Sequence, residues 1–172
     1  RLTPTHFVLR LTSPVDVSGI IPGQFVEVRV DGSSSTFLRR PISINNVIPS
    51  ENEIWLLFHS VGEGTSRVSG LKVGDKLNCI FPLGNGFKLP VAGERILLVG
   101  GGVGTAPLLY LGKLAKENGA EPVFLLGAKK ASDLTQLNDF AEYGEVCLTT
   151  EDGSYGEKGF VTNHSVLDTA EF

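Results

Sequence analysis

The stretch from Arg95 to Pro107, reading Arg-Ile-Leu-Leu-Val-Gly-Gly-Gly-Val-Gly-Thr-Ala-Pro, constrains this chain more than any other. The unbroken apolar run from Ile96 to Val99 suits a strand buried on both faces of a parallel sheet. Gly100, Gly101 and Gly102 follow at once, then Val103 and Gly104. Glycine carries no Cβ and takes positive φ freely, so the backbone can turn sharply and approach a ligand. Thr105 is expected as the N-cap of a following helix, with Pro107 in its first turn. Strand, glycine turn and helix start together place N–H groups where a diphosphate would sit. The spacing Gly100-x-Gly102-x-x-Thr105 is a near match to the dinucleotide fingerprint, with its third glycine replaced. On this stretch alone, the plainer alternative of a purely structural turn stays open.

The flanking pattern divides the chain in two. Before residue 84 it reads as β. Phe7, Leu9 and Leu11 alternate with His6, Val8 and Arg10, and Val26, Val28 and Val30 alternate with Glu27 and Arg29. Ile54 to Phe58 is a denser apolar run, and Lys76 to Pro82 gives a further short strand. Ile21-Pro22-Gly23, Asp31-Gly32 and Val73-Gly74-Asp75 separate these runs as turns, the spacing of an antiparallel barrel or sandwich. Ser33, Ser34 and Ser35 form a polar loop expected to be mobile. Beyond a linker at Pro90 to Glu94, strands alternate with helices. A helix is expected from Ala106 to Asn118, closed by Gly119, then a buried strand at Val123 to Leu126. A second helix is expected over Leu134 to Tyr143, capped by Ser132 or Asp133, then a strand at Val146 to Thr149 and a third helix beginning at Val161 to Leu167. The expected fold class is β plus α/β. An antiparallel β-barrel spans residues 1–90, and an incomplete doubly wound parallel-sheet domain spans 91–172.

Three further stretches can carry chemistry. Arg39-Arg40-Pro41-Ile42-Ser43 enters a strand; arginine offers a planar fork of donors suited to phosphate. A surface arginine pair beside an edge proline is the alternative. Val61-Gly62-Glu63-Gly64-Thr65-Ser66 is a second glycine turn feeding a helix start, or else an ordinary turn capped by Thr65. Phe81-Pro82-Leu83-Gly84-Asn85-Gly86-Phe87 joins the two halves and is either a cleft wall or a hinge.

Composition matters mainly for what it excludes. The 172 residues carry a net charge of −4, and no cluster of Lys and Arg marks a nucleic-acid surface. No apolar run reaches membrane-spanning length, and no secretory signal opens the chain. The chain starts at Arg1 and lacks methionine, which reads as a piece of something longer. Cys79 and Cys147 suit buried free thiols in a cytoplasmic protein. No metal site is expected: His6, His59 and His164 lack ligand spacing, and two thiols cannot supply four ligands to an iron–sulfur cluster. No nucleophile elbow or other catalytic side chain stands out.

Arg40-Pro41-Ile42-Ser43, Gly64-Thr65, Pro82-Leu83-Gly84-Asn85-Gly86-Phe87 and Gly100-Gly101-Gly102-Val103-Gly104-Thr105-Ala106-Pro107 occur in this order. In order and spacing they resemble the ferredoxin–NADP reductase superfamily, which joins an FAD-binding antiparallel barrel to an NAD(P)-binding α/β domain. Within it, the Arg-Pro-Ile-Ser-Ile wording, the junction and Glu151-Asp152-Gly153-Ser154-Tyr155-Gly156 with Gly159-Phe160-Val161-Thr162 are similar to electron-transfer subunits of NAD-linked bacterial dihydroorotate dehydrogenases. The resemblance covers essentially the whole chain.

The resemblance implies FAD and NAD(H) as cofactors. Arg40, with Pro41 and Ile42 beside it, would hold the FAD diphosphate, and Ser43 would lie by the flavin ring. Ile42 stands where many relatives stack a tyrosine. Leu57, Phe58 and His59 would meet the flavin edge, partly by backbone, and Gly64 and Thr65 would hold the diphosphate. Gly101, Gly102, Gly104 and Thr105 would face the NADH diphosphate. NADH rather than NADPH follows only from the resemblance, because Lys129 and Lys130 stand near the ribose position with no clear acidic reader. A [2Fe–2S] cluster is implied only for a full-length chain with a cysteine-rich tail. The implied partner is a catalytic, FMN-containing dihydroorotate dehydrogenase subunit in a hetero-oligomer, serving pyrimidine biosynthesis. The alternatives are a flavin subunit of a sulfide dehydrogenase, a hydrogenase or a ferredoxin:NADP reductase, and a non-catalytic nucleotide-binding module.

Overall fold

The computed structural model describes residues 1–33, 35–169 and 171–172, and leaves the side chain of Thr169 aside. Ser34, one of the three serines of the expected mobile loop, lies outside the described residues. The chain forms two compact units, Arg1–Gly86 and Phe87–Phe172.

Unit 1 is an antiparallel five-stranded sheet. Its strands are β1 (His6–Thr12), β2 (Phe25–Val28), β3 (Arg40–Ile48), β4 (Glu53–His59) and β5 (Cys79–Leu83), in the order β1-β4-β3-β2-β5. Alternation builds its core. Val26 and Val28 are fully buried on β2, Val26 opposite Ile42 of β3, and Ile44 of β3 and Ile54 and Leu56 of β4 are buried as well. Two register shifts, between Phe25 and Glu27 and between Ile44 and Asn46, interrupt the ladders. Irregularities of this kind bend a strand and increase its twist. Asn52 closes the β3–β4 hairpin in the left-handed region at φ 51°, and its amide donates to the carbonyls of Ser13 and Val15. One helix, α1 (Glu63–Ser69), follows β4. The Pro82 to Gly86 stretch packs within unit 1: a Cβ on Gly84, whose φ is +80°, would stand 2.8 Å from the Phe25 ring.

Unit 2 is a parallel sheet in the order β6 (Arg95–Gly101), β7 (Glu121–Ala128), β8 (Glu145–Thr150) and β9 (Glu157–Lys158). The helix α2 (Ala106–Glu117) lays Leu108, Leu109 and Leu111 over Leu98, Phe124 and Leu126, and Phe140 of α3 (Leu137–Ala141) completes that core. Gly119 ends α2 at φ +83°, as expected, with Ala120 N–H reaching back to the Ala115 carbonyl. Gly127 and Thr149 are ladder partners, and a Cβ on Gly127 would stand 2.6 Å from Val161. The Val161–Asn163 turn therefore lies on the sheet face opposite α2.

Three local expectations are corrected. Thr105 is not a side-chain N-cap: its backbone is already helical, and its hydroxyl donates to the Gly102 carbonyl at 2.9 Å. Of the helix expected over Leu134 to Tyr143 only the short α3 forms: a 3₁₀ turn at Ala131–Asp133 ends in extended backbone at Leu134, and Gln136 takes left-handed φ 57° just before α3. Neither Ser132 nor Asp133 caps it. The third helix divides likewise into a 3₁₀ turn at Val161–Asn163 and α4 (Val166–Thr169).

Candidate functional site

The two arginines entering β3 have different fates. Arg39 is a staple: one guanidinium nitrogen donates to the Glu27 and Asn78 carbonyls at 3.2 and 3.1 Å, the other to Asn78 Oδ1 at 2.6 Å. Among the described residues, no hydrogen bond or ion pair occupies the guanidinium of half-buried Arg40. Its Nε lies 3.2 Å from where a Cβ on buried Gly64 would stand. A permanently charged group that is part-buried and unpaired is costly unless an anion completes it. Any side chain at position 64 would fill the space in front of it.

The strands beside this cradle come apart. The β2–β3 ladder continues to Val28↔Arg40 and the β1–β4 ladder to His6↔His59, whereas the β3–β4 ladder stops at Ile44↔Leu56. Arg40 to Ser43 on one strand and Leu57 to His59 on the other thus flank an opening in the sheet. Ile42, Leu57 and Phe58 bury their side chains, at 7%, 3% and 4% exposure. On β4 it is therefore the backbone edge that faces the gap. Pro41 is exposed and Ser43 half-buried, on the face opposite Arg40 and Ile42. His59 stacks on His6 with ring centroids 4.3 Å apart, and His6 Nδ1 is hydrogen-bonded to Thr3 Oγ1.

Past the opening, Thr65 folds its hydroxyl back to accept from the N–H groups of Val61 and Gly62, at 3.1 and 3.2 Å. Ser33 and Ser35 donate to the Glu63 carboxylate, which also pairs with Arg67 at 3.2 Å. The Ser35 and Ser33 hydroxyls, then Arg67, hold that carboxyl below its ordinary range.

In unit 2, Gly101, Gly102 and Gly104 are exposed, and a Cβ on Gly102 or Gly104 would project into open space. Gly100 is different: a Cβ built on it would stand 2.8 Å from Leu108 Cδ1 and 3.1 Å from the Gly104 carbonyl oxygen, so its absence lets the turn press onto the strand. Gly102 and Thr105 line a small recess, open to solvent, at the carboxyl ends of β6 and β7. That end of a parallel sheet is where such folds bind ligands. Gly127, Asp133 and Thr135 line it as well. Asp133 escaped the sequence reading because it was assigned to a helix cap; extended Leu134 and left-handed Gln136 keep its loop out of α3. Lys129 and Lys130 are exposed and do not line the recess. The loop is tied down by Ser154, whose Oγ accepts from Ala131 N–H at 2.8 Å and donates to Asp152 at 2.6 Å. Ser154 donors hold the Asp152 carboxyl below its usual range.

Cys79 and Cys147 are half-buried free thiols, pushed up in pKa by burial and so not activated. Among the described residues, no group of three or more His, Cys, Asp or Glu side chains could hold a metal. No helix among them is long and apolar enough to cross a membrane.

Known proteins match both units together. The electron transfer subunit of dihydroorotate dehydrogenase B (NAD(+)) from Shouchella clausii is 45% identical over 144 residues, covering 83% of this chain and 56% of that subunit. The same subunit from Streptococcus mutans is 40% identical over 174 residues, covering the whole chain and 66% of the relative. The chain thus spans between half and two thirds of these relatives' length. Among solved structures, an NADH-dependent reduced ferredoxin-NADP oxidoreductase superposes with a TM-score of 0.87 at 30% identity, over the whole chain and 62% of that protein. An Amycolatopsis cytochrome P450 reductase gives 0.82 at 27% identity, over 98% of this chain and 55% of its own. No family model matches. The chain belongs to the ferredoxin–NADP reductase-like flavoproteins, and its sequence homologues among them are electron transfer subunits of NAD-dependent dihydroorotate dehydrogenase.

Proposed function

We propose that this chain is a flavoprotein electron-transfer unit that holds FAD in unit 1 and NAD(H) in unit 2, and that it serves a catalytic subunit oxidising dihydroorotate to orotate. The observation that carries the reading is the Arg40 guanidinium over Gly64, unpaired among the described residues, beside a sheet opening flanked by Ile42, Ser43 and Leu57 to His59. These residues fit a flavin dinucleotide. Arg40 and the space at Gly64 take a diphosphate, the apolar opening takes a flat ring, and Ser43 together with the free backbone edge of β4 offers polar contacts. Bound FAD would supply the redox chemistry, taking electrons singly from the partner's side and returning them as a hydride to NAD+, while the protein positions and tunes. Gly101, Gly102, Gly104 and Thr105 would hold the NADH diphosphate. Asp133 in the same recess favours NADH, since a carboxylate accepts from a ribose 2′-hydroxyl and repels a 2′-phosphate.

The partner and the place of action are inferred from the relatives' printed role as electron transfer subunits of dihydroorotate dehydrogenase. A cytoplasmic setting suits two free thiols. A second reading, delivery to ferredoxin, is favoured by the fold match to the ferredoxin-NADP oxidoreductase. Flavin titration and stopped-flow reduction test the proposal. FAD is expected to bind in preference to FMN and to be bleached faster by NADH than by NADPH. A chain that binds no FAD, or whose flavin NADH leaves oxidised, overturns the function. Identification of the protein that co-purifies with the full assembly separates the two acceptors.

A further inference from the structure

Just ahead of Arg40 the chain leaves two adjacent apolar side chains in water. Phe37 is 90% exposed and Leu38 76% exposed, whereas Thr36 beside them is buried. Single exposed apolar residues are ordinary; an aromatic–aliphatic pair next to a cation with no partner among the described residues is not. The segment is pinned in place. Ser33 and Ser35 donate to Glu63 on α1, and Thr36 N–H donates to Ser33 Oγ at 3.0 Å. Thr36 Cγ2 and Arg40 Nε flank the same face of Gly64, each 3.2 Å from a Cβ built there. Phe37 therefore stands on the rim of the Arg40–Gly64 cradle, within about 11 Å of Arg40 along the chain.

The direction of β3 distinguishes the two sides of that cradle. Forward from Arg40, Ile42 and Ser43 lead into the opening between β3 and β4. Backward, Leu38 and Phe37 lead to the exposed pair. A dinucleotide whose diphosphate rests on Arg40 carries one ring system to each side. We propose that Phe37, backed by Leu38, is the shelf on which the adenine of the flavin dinucleotide stacks, and that this shelf selects FAD over FMN. The proposal rests on the FAD reading given above. Adenine presents a flat π-face that an aromatic side chain stacks on without needing further polar groups. An apolar patch of a partner protein would be drawn to the same side chains, but it would make no use of the adjacent unpaired cation.

The test titrates FAD, FMN and ADP into the full chain after removal of bound flavin, for the wild type, Phe37→Ala and Phe37→Trp. Affinities come from calorimetry and flavin fluorescence. Phe37→Ala is expected to weaken FAD and ADP about 5- to 100-fold and to leave FMN unchanged. Phe37→Trp is expected to retain FAD binding, with ADP quenching the new indole. Unchanged FAD affinity in Phe37→Ala, or equal losses for FAD and FMN, overturns the shelf. So does a variant that keeps its FAD affinity and loses a protein partner. A wild type that binds neither FAD nor FMN overturns the FAD reading itself, a failure visible before any Phe37 variant is made.

Discussion

Arg39 and Arg40 are identical in chemistry and adjacent in sequence, and nothing local separates them. Their difference is made by Asn78, on a segment distant in sequence, which takes up the Arg39 guanidinium and leaves Arg40 to face Gly64. Arg40→Ala is therefore expected to weaken FAD by about 1.5–3 kcal/mol, the scale of a hydrogen bond to a charged group, at unchanged thermal stability. Arg39→Ala should do the reverse, lowering Tm with little change in flavin affinity. A flavin titration and a melting curve on each variant check the pair. Thr149 offers a contrary case. It is 1% exposed, and its hydroxyl finds no partner among the described residues. Replacing an orphaned buried hydroxyl by a methyl of the same shape removes a desolvation cost of about 1–3 kcal/mol. Thr149→Val is expected to raise Tm in calorimetry; a lower Tm would mean that the hydroxyl is satisfied.

At the scale of elements, periodicity was informative where packing is regular and silent where one residue departs from it. The valines of β2 and the leucines of α2 declare their buried faces, because alternation and a helical stripe are local patterns. The shortfall over Leu134 to Tyr143 has a local cause: extended Leu134 and left-handed Gln136 delay the helix to Leu137 in a stretch whose apolar spacing still reads as helical. Thr105 has the composition of a cap but spends its hydroxyl on the Gly102 carbonyl. The opening between β3 and β4 was not legible either, since residues on both sides keep good strand character and only the register shift between Ile44 and Asn46 parts them. The tie between the serine loop and α1 makes this region sensitive to acid. The folded Glu63 carboxyl titrates below its ordinary 4.5. Its stabilisation is thus complete at neutral pH and is lost as pH falls through the lowered folded value. Hydrogen exchange, corrected for intrinsic rates, should show residues 33 and 35–38 losing protection below pH 4.5. Glu63→Gln should show the same loss at neutral pH.

For the whole molecule, the chain divides into the compact units Arg1–Gly86 and Phe87–Phe172, one built on an antiparallel and one on a parallel sheet, which demand different connections. The chemistry expected of these 172 residues is flavin without iron, because the two cysteines lie on strands of different units. Iron and acid-labile sulfide assays on this chain should find none in stoichiometric amount. Cluster iron bound within it would relocate the ligands and the division of labour with any tail. In unit 2, β6 is the outer strand of the order β6-β7-β8-β9, and Val99 on it is 44% exposed. An edge of this kind templates pairing with a second chain. Light scattering should show concentration-dependent association of this chain, reduced by Val99→Lys.

The strand order of unit 1 also sets a timetable. Its outermost strands, β1 and β5, are the first and last to leave the ribosome, and β1 gains its partner only when β4 appears, His6 finding His59. Each neighbour in unit 2 pairs with the strand made just before it. Long-range closure slows folding. The flavin half is therefore begun first and finished late: its opening strand waits unpaired through some forty residues of synthesis, and the Arg40 cradle exists only after Gly64 has been made.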